Sequence, residues 1–357
     1  MIWKRPADAP AFLFPVERPV PNSLEAKFRM INHRLQITNW RHPLDARSPW
    51  RDLSSVICHL SSERASGEFT VPYNPMIWKT RSRTLDLSHS AKIMGILNVT
   101  PDSFSDGGQF FGLGAAVSHA RELIAEGAEI IDVGGESTRP GADPVALEEE
   151  LRRILPVIEK IRSEFPSVLI SVDTYKAQTA RRAIRAGADI INDITALRGD
   201  PEMIDVVLES RVAVVLMHMQ GTPKTMQVAP SYREVVSEVV AFLKDRRDLL
   251  VQRGVDRERI AIDPGFGFGK RFADNIKLIR NLEVFQALTQ PVLIGVSRKS
   301  GLAQLSGDPG LPAAKRIWPT VALTCLLREK GAHLLRVHDV KPNLEALRMT
   351  EAILERC

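Results

Sequence analysis

Residues 127–133 read Gly-Ala-Glu-Ile-Ile-Asp-Val, and the same device, Gly-Ala followed by a short apolar run, returns at 187–192 (GADIIN) and 331–337 (GAHLLRV). Glycine ends a helix in the left-handed conformation, and the small alanine lets the chain turn at once into a strand. Three copies of one helix-to-strand junction mark a chain that alternates the two elements. Working outward from them, β-branched runs predict strands at 93–97, 129–133, 168–172, 189–192, 212–217, 259–262, 292–296 and 333–337. Amphipathic stretches between these runs predict helices near 114–126, 145–164, 175–186, 201–210, 231–253, 274–289, 313–330 and 342–355. Eight such units in about 270 residues match an α/β fold, a single (β/α)8 barrel of TIM type. A doubly wound open sheet is the alternative. Its Gly-rich dinucleotide turn is missing after the first strand, where the chain reads Leu97-Asn98-Val99-Thr100.

The composition fits a large globular fold. Of 357 residues, 44% are hydrophobic and 25% charged, and no apolar run approaches the length needed to span a bilayer. Lys and Arg total 48 against 43 acidic residues, a net charge of +5 without a basic block. That balance suits small anionic ligands at least as well as nucleic acid. Cys58, Cys325 and Cys357 have neither metal-ligand spacing nor a disulfide framework, so a reducing cytoplasm is expected.

Residues 1–75 differ from the remainder. They carry nine of the 23 prolines and three of the five tryptophans, with no sustained period. A secretory signal is disfavoured by the lack of an apolar stretch, and a targeting peptide by Asp8, Glu17 and Glu25. The expectation is a Pro-rich extension over 1–75, disordered or an over-called start, with Met1-Ile-Trp-Lys recurring at Met76, and a barrel domain over 76–357.

In a parallel barrel the active face lies at the C-terminal ends of the strands. Asn98 follows the first predicted strand, and Gly134-Gly135-Glu136-Ser137-Thr138-Arg139-Pro140 the second. Asp173 follows the third, Asn192-Asp193 the fourth, His218-Met219-Gln220 the fifth and Asp263-Pro264-Gly265 the sixth. Ser297-Arg298-Lys299-Ser300 follows the seventh, and Arg336 with His338 closes the eighth. Any one of these reads most simply as a cap or a solvated loop charge; eight strands in succession describe a polar bowl. Arg336 and His338, two apart on a strand, share a side. With Lys299 they suit a polyphosphate, while a rim ion pair between Arg336 and Asp339 is the plain alternative. Asp173, Asn192 and Asp263 inside walls of Ile and Val suit a flat heterocycle bearing N–H donors. Phe268, between two glycines, is expected to face a ligand, and His218 to serve a structural or supporting role beside Met217 and Met219, which read as packing. No zinc-type ligand cluster and no Ser–His–Asp set is forced; any metal is expected to be Mg2+ held by oxygens and a substrate pyrophosphate.

These strings also resemble a known family, the dihydropteroate synthases: IMGILNVTPDSFSDGG (93–108), GAEIIDVGGESTRPGA (127–142), ISVDTYK (170–176), GADIINDI (187–194), LMHMQGTPKTMQ (216–227), DPGFGFGK (263–270), GVSRKS (295–300) and RVHDV (336–340). The likeness runs from about residue 85 to the C-terminus in the family's order, and nothing in 1–75 belongs to it. The resemblance implies condensation of 6-hydroxymethyl-7,8-dihydropterin pyrophosphate with p-aminobenzoate, a transferase reaction of folate synthesis. It implies that Asp173, Asn192, Asp263 and Lys299 hold the pterin, and that Asn98, Arg336 and His338 hold pyrophosphate, Asn98 also reaching Mg2+. Thr138, Arg139, Pro140, Phe268, Lys299 and Ser300 would shape the aminobenzoate pocket, where sulfonamides compete, with loops 102–108 and 138–141 closing over both. By this resemblance Asn98, Lys299, Arg336 and His338 carry the catalytic work, and Asp173 and Asp263 are ionised recognition groups.

The family forms homodimers through its terminal helices. Here Trp318-Pro319 stands where relatives carry small residues, and Pro319 either kinks that helix or begins it. A methyltetrahydrofolate:corrinoid methyltransferase-like protein shares the pterin-reading Asp and Asn but needs no leaving-group cradle. A non-catalytic paralogue would show an eroded polar rim, and none is visible.

Overall fold

A computed structural model describes residues 75–100 and 108–354. The extension expected over 1–75 lies outside the described residues apart from Pro75, and loop 102–108 apart from Gly108.

The described chain opens with a hairpin, β1 (Ile77–Lys79) and β2 (Thr84–Asp86), paired antiparallel. Eight parallel strands follow: β3 (Lys92–Asn98), β4 (Ile130–Gly134), β5 (Leu169–Asp173), β6 (Ile190–Asp193), β7 (Ala213–Met217), β8 (Ile260–Asp263), β9 (Leu293–Ile294) and β10 (Leu334–Val337). They are hydrogen-bonded in the order β8-β7-β6-β5-β4-β3-β10-β9. A parallel bridge between Ile262 and Val292 closes the ring. The helices between them are α1 (Gly108–Ala125), α2 (Leu147–Glu164), α3 (Ala177–Ala186), α4 (Met203–Ser210), α5 (Val235–Gln252), α6 (Phe272–Arg280), α7 (Ser300–Leu305), α8 (Ile317–Glu329) and α9 (Val340–Leu354). All eight predicted strands and the barrel are therefore observed. The three repeated junction glycines take the left-handed region, with φ of 103° at Gly127, 121° at Gly187 and 93° at Gly331.

Two-residue alternation along each strand builds two cores. Outward side chains such as Ile131, Ile170, Ile191, Val214 and Leu335 pack beneath the helices. Inward ones, Met94, Ile130, Leu169, Ile190, Ala213, Val215, Ala261, Leu293 and Leu334, fill the lower barrel. The hairpin plugs that lower end: Trp78, fully buried, joins the inward cluster with Leu85 and Leu87. Its indole Nε1 donates to the Arg259 carbonyl at 3.3 Å, meeting the one polar demand of the ring.

Some boundaries differ from expectation. The stretch 274–289 divides into α6 and a 3-10 helix, Leu282–Leu288, separated by Asn281. The short α7 and the hairpin had no periodic signal, being six and three residues per element. Pro319 neither kinks its helix nor begins it. It is the third residue of α8, within the first turn, where no intrahelical acceptor exists for the N–H it lacks. Among the described residues no helix is long and apolar enough to cross a membrane.

Candidate active site

The alternation that fills the lower barrel with hydrocarbon also fills the upper barrel with charge. Counting two residues on from Ile130 reaches Asp132, and from Leu169 reaches Ser171 and then Asp173. The same step leads from Ile190 to Asn192, from Ala261 to Asp263, and from Leu334 to Arg336 and His338. Register places Asp173 beside Gly134 on one side and Asn192 on the other. A Cβ built on Gly134 would lie 3.5 Å from the Asp173 Cβ and 3.9 Å from Asn98 Oδ1, so Asn98 and Asp173 approach each other over a residue without a side chain. Asp193 has the opposite parity: its buried carboxylate caps the turn after β6, accepting from the Thr195 N–H at 2.6 Å and the Leu197 N–H at 3.2 Å.

Arg336 is the centre of this layer. Its Nε donates to Asp132 Oδ2 at 2.6 Å and its Nη2 to Asp173 Oδ2 at 2.8 Å. Asn192 Nδ2 donates to the same Asp132 oxygen at 3.2 Å. The rim pair of Arg336 with Asp339 is thereby excluded; Arg298 takes Asp339 instead, with Nε 2.9 Å from Oδ2 and Nη2 also bonded to the carboxylate. Asp132, fully buried, is the residue that sequence reasoning missed. Its signal was present: an acid inside the run Ile-Ile-Asp-Val, on the lumen parity. Burial pushes the Asp173 carboxyl up to about 7, with Arg336 opposing it. Burial also raises Asp263, although the Gly265 N–H donates to its Oδ1 at 2.7 Å. The simple expectation of two fully ionised carboxylates is thus altered at Asp173, whose charge near neutrality rests on its guanidinium partner.

Lys299 reaches the same hollow from the end of β9. Arg298 just before it adopts φ 57°, a left-handed conformation that costs a non-glycine residue about 1–2 kcal/mol. The Asp339 ion pair and a bond from the Arg298 N–H to Thr320 Oγ1 at 3.2 Å hold that turn. Lys299 Nζ donates to the Phe266 carbonyl and lies 4.5 Å from the centre of the Phe268 ring. Burial lowers its ammonium to about 8, against the pull of Asp263. The charges of Asp263, Arg336 and Asp173 all act on Lys299, so the four groups share one low-dielectric space.

His338 lies above Arg336, with Nδ1 3.0 Å from Ser297 Oγ. The same oxygen accepts the His338 backbone N–H at 3.1 Å, so Ser297 holds both the backbone and the ring of His338. Burial and the neighbouring Arg336 push the ring down to about 3. It is a neutral imidazole at the rim of the bowl.

The remaining predicted residues line the rim. Thr138 is half-buried, while Arg139, Pro140 and Ser300 are exposed, Ser300 opening α7. The loop bearing the first three is tied down at its base. Lys176 Nζ meets Glu136 Oε2 at 2.6 Å and Glu150 Oε2 at 2.8 Å, and the Tyr175 hydroxyl donates to Glu136 Oε1 at 2.7 Å. At its tip the Gly141 N–H donates to the Pro223 carbonyl at 3.1 Å. Phe268 packs beside Met217, Met219, Met226 and Ile194, an apolar wall on one flank; the two methionines flanking His218 serve packing, as their positions suggested. Among the described residues no group of three His, Cys, Asp or Glu could hold a metal ion, and the donor near the rim that suits Mg2+ is the Asn98 amide oxygen.

A buried layer of Asp132, Asp173, Asn192 and Asp263 around Arg336, with Lys299 and His338 beside it, invites comparison with known proteins. The family model of pterin binding enzymes matches residues 94–338. The dihydropteroate synthase of Escherichia coli K12 is 48% identical over 271 residues, covering 76% of this chain and 94% of that protein. The chain belongs to the dihydropteroate synthase family of pterin-binding enzymes. Solved structures agree. The Xanthomonas albilineans dihydropteroate synthase with 4-aminobenzoic acid superposes with a TM-score of 0.73 at 45% identity, covering 79% of this chain and 99% of that one. The Yersinia pestis dihydropteroate synthase in complex with a sulfonamide drug gives 0.73 at 42% identity, covering 78% and 99%. As a member of this family the chain is a transferase, and the corrinoid methyltransferase and non-catalytic alternatives give way to it.

Proposed function

We propose that this site joins 6-hydroxymethyl-7,8-dihydropterin pyrophosphate to p-aminobenzoate, forming 7,8-dihydropteroate and pyrophosphate. The observation that carries the proposal is the arrangement of Arg336, bonded on one side to the carboxylate layer and bordered on the other by the neutral His338. Asp173, Asn192 and Asp263 face a flat heterocycle with acceptors for its N–H groups, and Lys299 donates to its carbonyl edge. Arg336, His338 and Asn98 face the pyrophosphate. The bond broken joins the pterin methylene to the ester oxygen, whose electrons leave with pyrophosphate. The dihydropterin ring delocalises the positive charge left on carbon, so the protein need not supply a nucleophile. The aminobenzoate nitrogen then attacks that carbon and loses a proton to solvent. Positioning and stabilisation of the departing charge are the chain's contributions.

The Xanthomonas structure with 4-aminobenzoic acid and the Yersinia structure with a sulfonamide drug support binding of both kinds of ligand here. Thr138, Arg139, Pro140, Phe268, Lys299 and Ser300 are the residues proposed to form that pocket. The donor set fits Mg2+, which favours few protein oxygens and keeps phosphate and water ligands; Asn98 would hold it. Such an ion, when bound, neutralises charge on the leaving pyrophosphate. The exposed apolar side chains Trp318 on α8 and Met349 and Ile353 on α9 support a homodimer through the last two helices. Cysteine usage fits a cytoplasmic enzyme.

Incubating the purified chain with both substrates and Mg2+ tests the proposal. Formation of 7,8-dihydropteroate, suppressed by a sulfonamide in competition with p-aminobenzoate, is expected. No product from intact, folded protein would refute it.

A further inference from the structure

Lys270 stands outside the bowl, yet it is buried more deeply than Lys299, with 2% of its surface exposed. It ends the turn 264–270 that follows β8, and its side chain folds back beneath that turn. Nζ lies 2.9 Å from the Gly265 carbonyl, 3.0 Å from that of Phe268, 3.2 Å from that of His218 and 2.9 Å from His218 Nδ1. Four neutral acceptors surround one ammonium. His218 therefore accepts at Nδ1 and carries its proton on Nε2. The turn is also pressed against the chain after β7. A Cβ on Gly265 would come within 1.9 Å of the His218 carbonyl oxygen, and one on Gly269 within 2.3 Å of the Gln220 carbonyl oxygen.

We infer that Lys270, seated on His218, is a positioning residue that sets the turn 265–269 so that Lys299, Phe268 and Asp263 meet the pterin and the arylamine in the correct places. Each contact of that turn with the site is direct. Phe266 supplies the carbonyl that receives Lys299, Phe268 supplies the ring under the same ammonium, and the Gly265 N–H orients Asp263. From outside the turn the Gly267 N–H donates to Asn275 Oδ1 at 2.7 Å and the Tyr232 hydroxyl to the Gly269 carbonyl at 2.6 Å, while Lys270 holds the Gly265 and Phe268 carbonyls from within. Burial brings the Lys270 ammonium down to about 7, and burial together with the adjacent Lys270 charge keeps His218 neutral, at about 2. The inference rests on the proposed reaction for the identity of the ligands, but the geometry bears on any flat heterocycle held by Asp263 and Lys299.

The test measures equilibrium binding of 6-hydroxymethyl-7,8-dihydropterin and of inorganic pyrophosphate with Mg2+ to the full chain, alongside turnover. Lys270→Met should weaken the dihydropterin about 100-fold, the scale of a misplacement near one ångström, and leave pyrophosphate within about twofold. Lys270→Gln, whose amide still donates twice, should recover about tenfold of that loss. If Lys270→Met does not fold, His218→Phe, which removes the ring nitrogens but keeps the backbone carbonyl that Lys270 also meets, should show the same selectivity with about a tenfold loss. Dihydropterin binding within twofold of the parent, or equal weakening of both ligands, would overturn the inference. A parent chain that binds both ligands but makes no product would instead remove the proposed reaction, with the binding comparison still deciding the role of Lys270.

Discussion

Arg336 Nη2 donates to Asp173 Oδ2 at 2.8 Å across the barrel, joining residues 163 positions apart in the chain. Strands β3 and β4 stand between β10 and β5 in the sheet, so the bond spans the lumen rather than a strand pair. With Asp132 on the same guanidinium, the site is held together by the groups proposed to perform its chemistry. Few substitutions here can affect binding alone.

Asp173→Asn replaces an acceptor with an amide that offers Arg336 and the pterin a mismatched donor. The expected loss is about 2–4 kcal/mol of transition-state stabilisation, read as kcat/KM for the pterin pyrophosphate. An unchanged value would remove Asp173 from the pterin site.

Arg336→Ala leaves two buried carboxylates facing each other without their cation. Unfolding by urea should show a loss of about 3–5 kcal/mol, the cost of breaking a buried pair from one side. Binding of the pyrophosphate ester should fall further than binding of the free pterin. Equal losses would mean that Arg336 acts only through Asp173.

Two buried groups of opposite charge define the expected pH dependence. Asp173, raised to about 7 by burial against Arg336, loses its acceptor character as pH falls through that value. Lys299, lowered to about 8 by burial against Asp263, loses its charge as pH rises through that value, and Lys270 beneath the neighbouring turn loses its own earlier, at about 7. Log kcat/KM for the pterin pyrophosphate should therefore form a narrow bell with its maximum between these limbs, and Asp173→Asn should abolish the acid limb. A profile level from about pH 6 to 9 would contradict the assignment.

Trp78 closes the lower barrel while touching none of the site. Trp78→Ala should destabilise the fold by about 3–5 kcal/mol through the cavity it leaves. KM values measured well below the new midpoint should stay near those of the parent. A midpoint within a degree or two of the parent would show that the hairpin is not part of the barrel core.

The barrel was legible because its signal is periodic and repeated: Gly127, Gly187 and Gly331 each end a helix before an apolar strand. The bowl was legible because Asp173, Asn192, Asp263 and Arg336 stand at or near the C-terminal ends of apolar strands. Asp132 was missed because it sits within its strand, not at the end, and only the parity shared with Gly134 points it inward. The alternative partner of Arg336, Asp339, is near it in sequence, but the left-handed turn at Arg298 brings that residue to Asp339 instead. The elevated acid at Asp173 had no sequence signal, since desolvation belongs to the closed barrel. Short elements such as α7 and the β1–β2 hairpin are stabilised by what they pack against and carry too few residues for a period.

The account depends on Asp173 and Arg336 working as one unit in the release of pyrophosphate. The most direct measurement is a double-mutant cycle on kcat/KM for pyrophosphate release, using Asp173→Asn, Arg336→Ala and the pair. A coupling of about 1–3 kcal/mol is predicted for groups in contact at the reacting centre. Losses that add to within about 0.5 kcal/mol would contradict it.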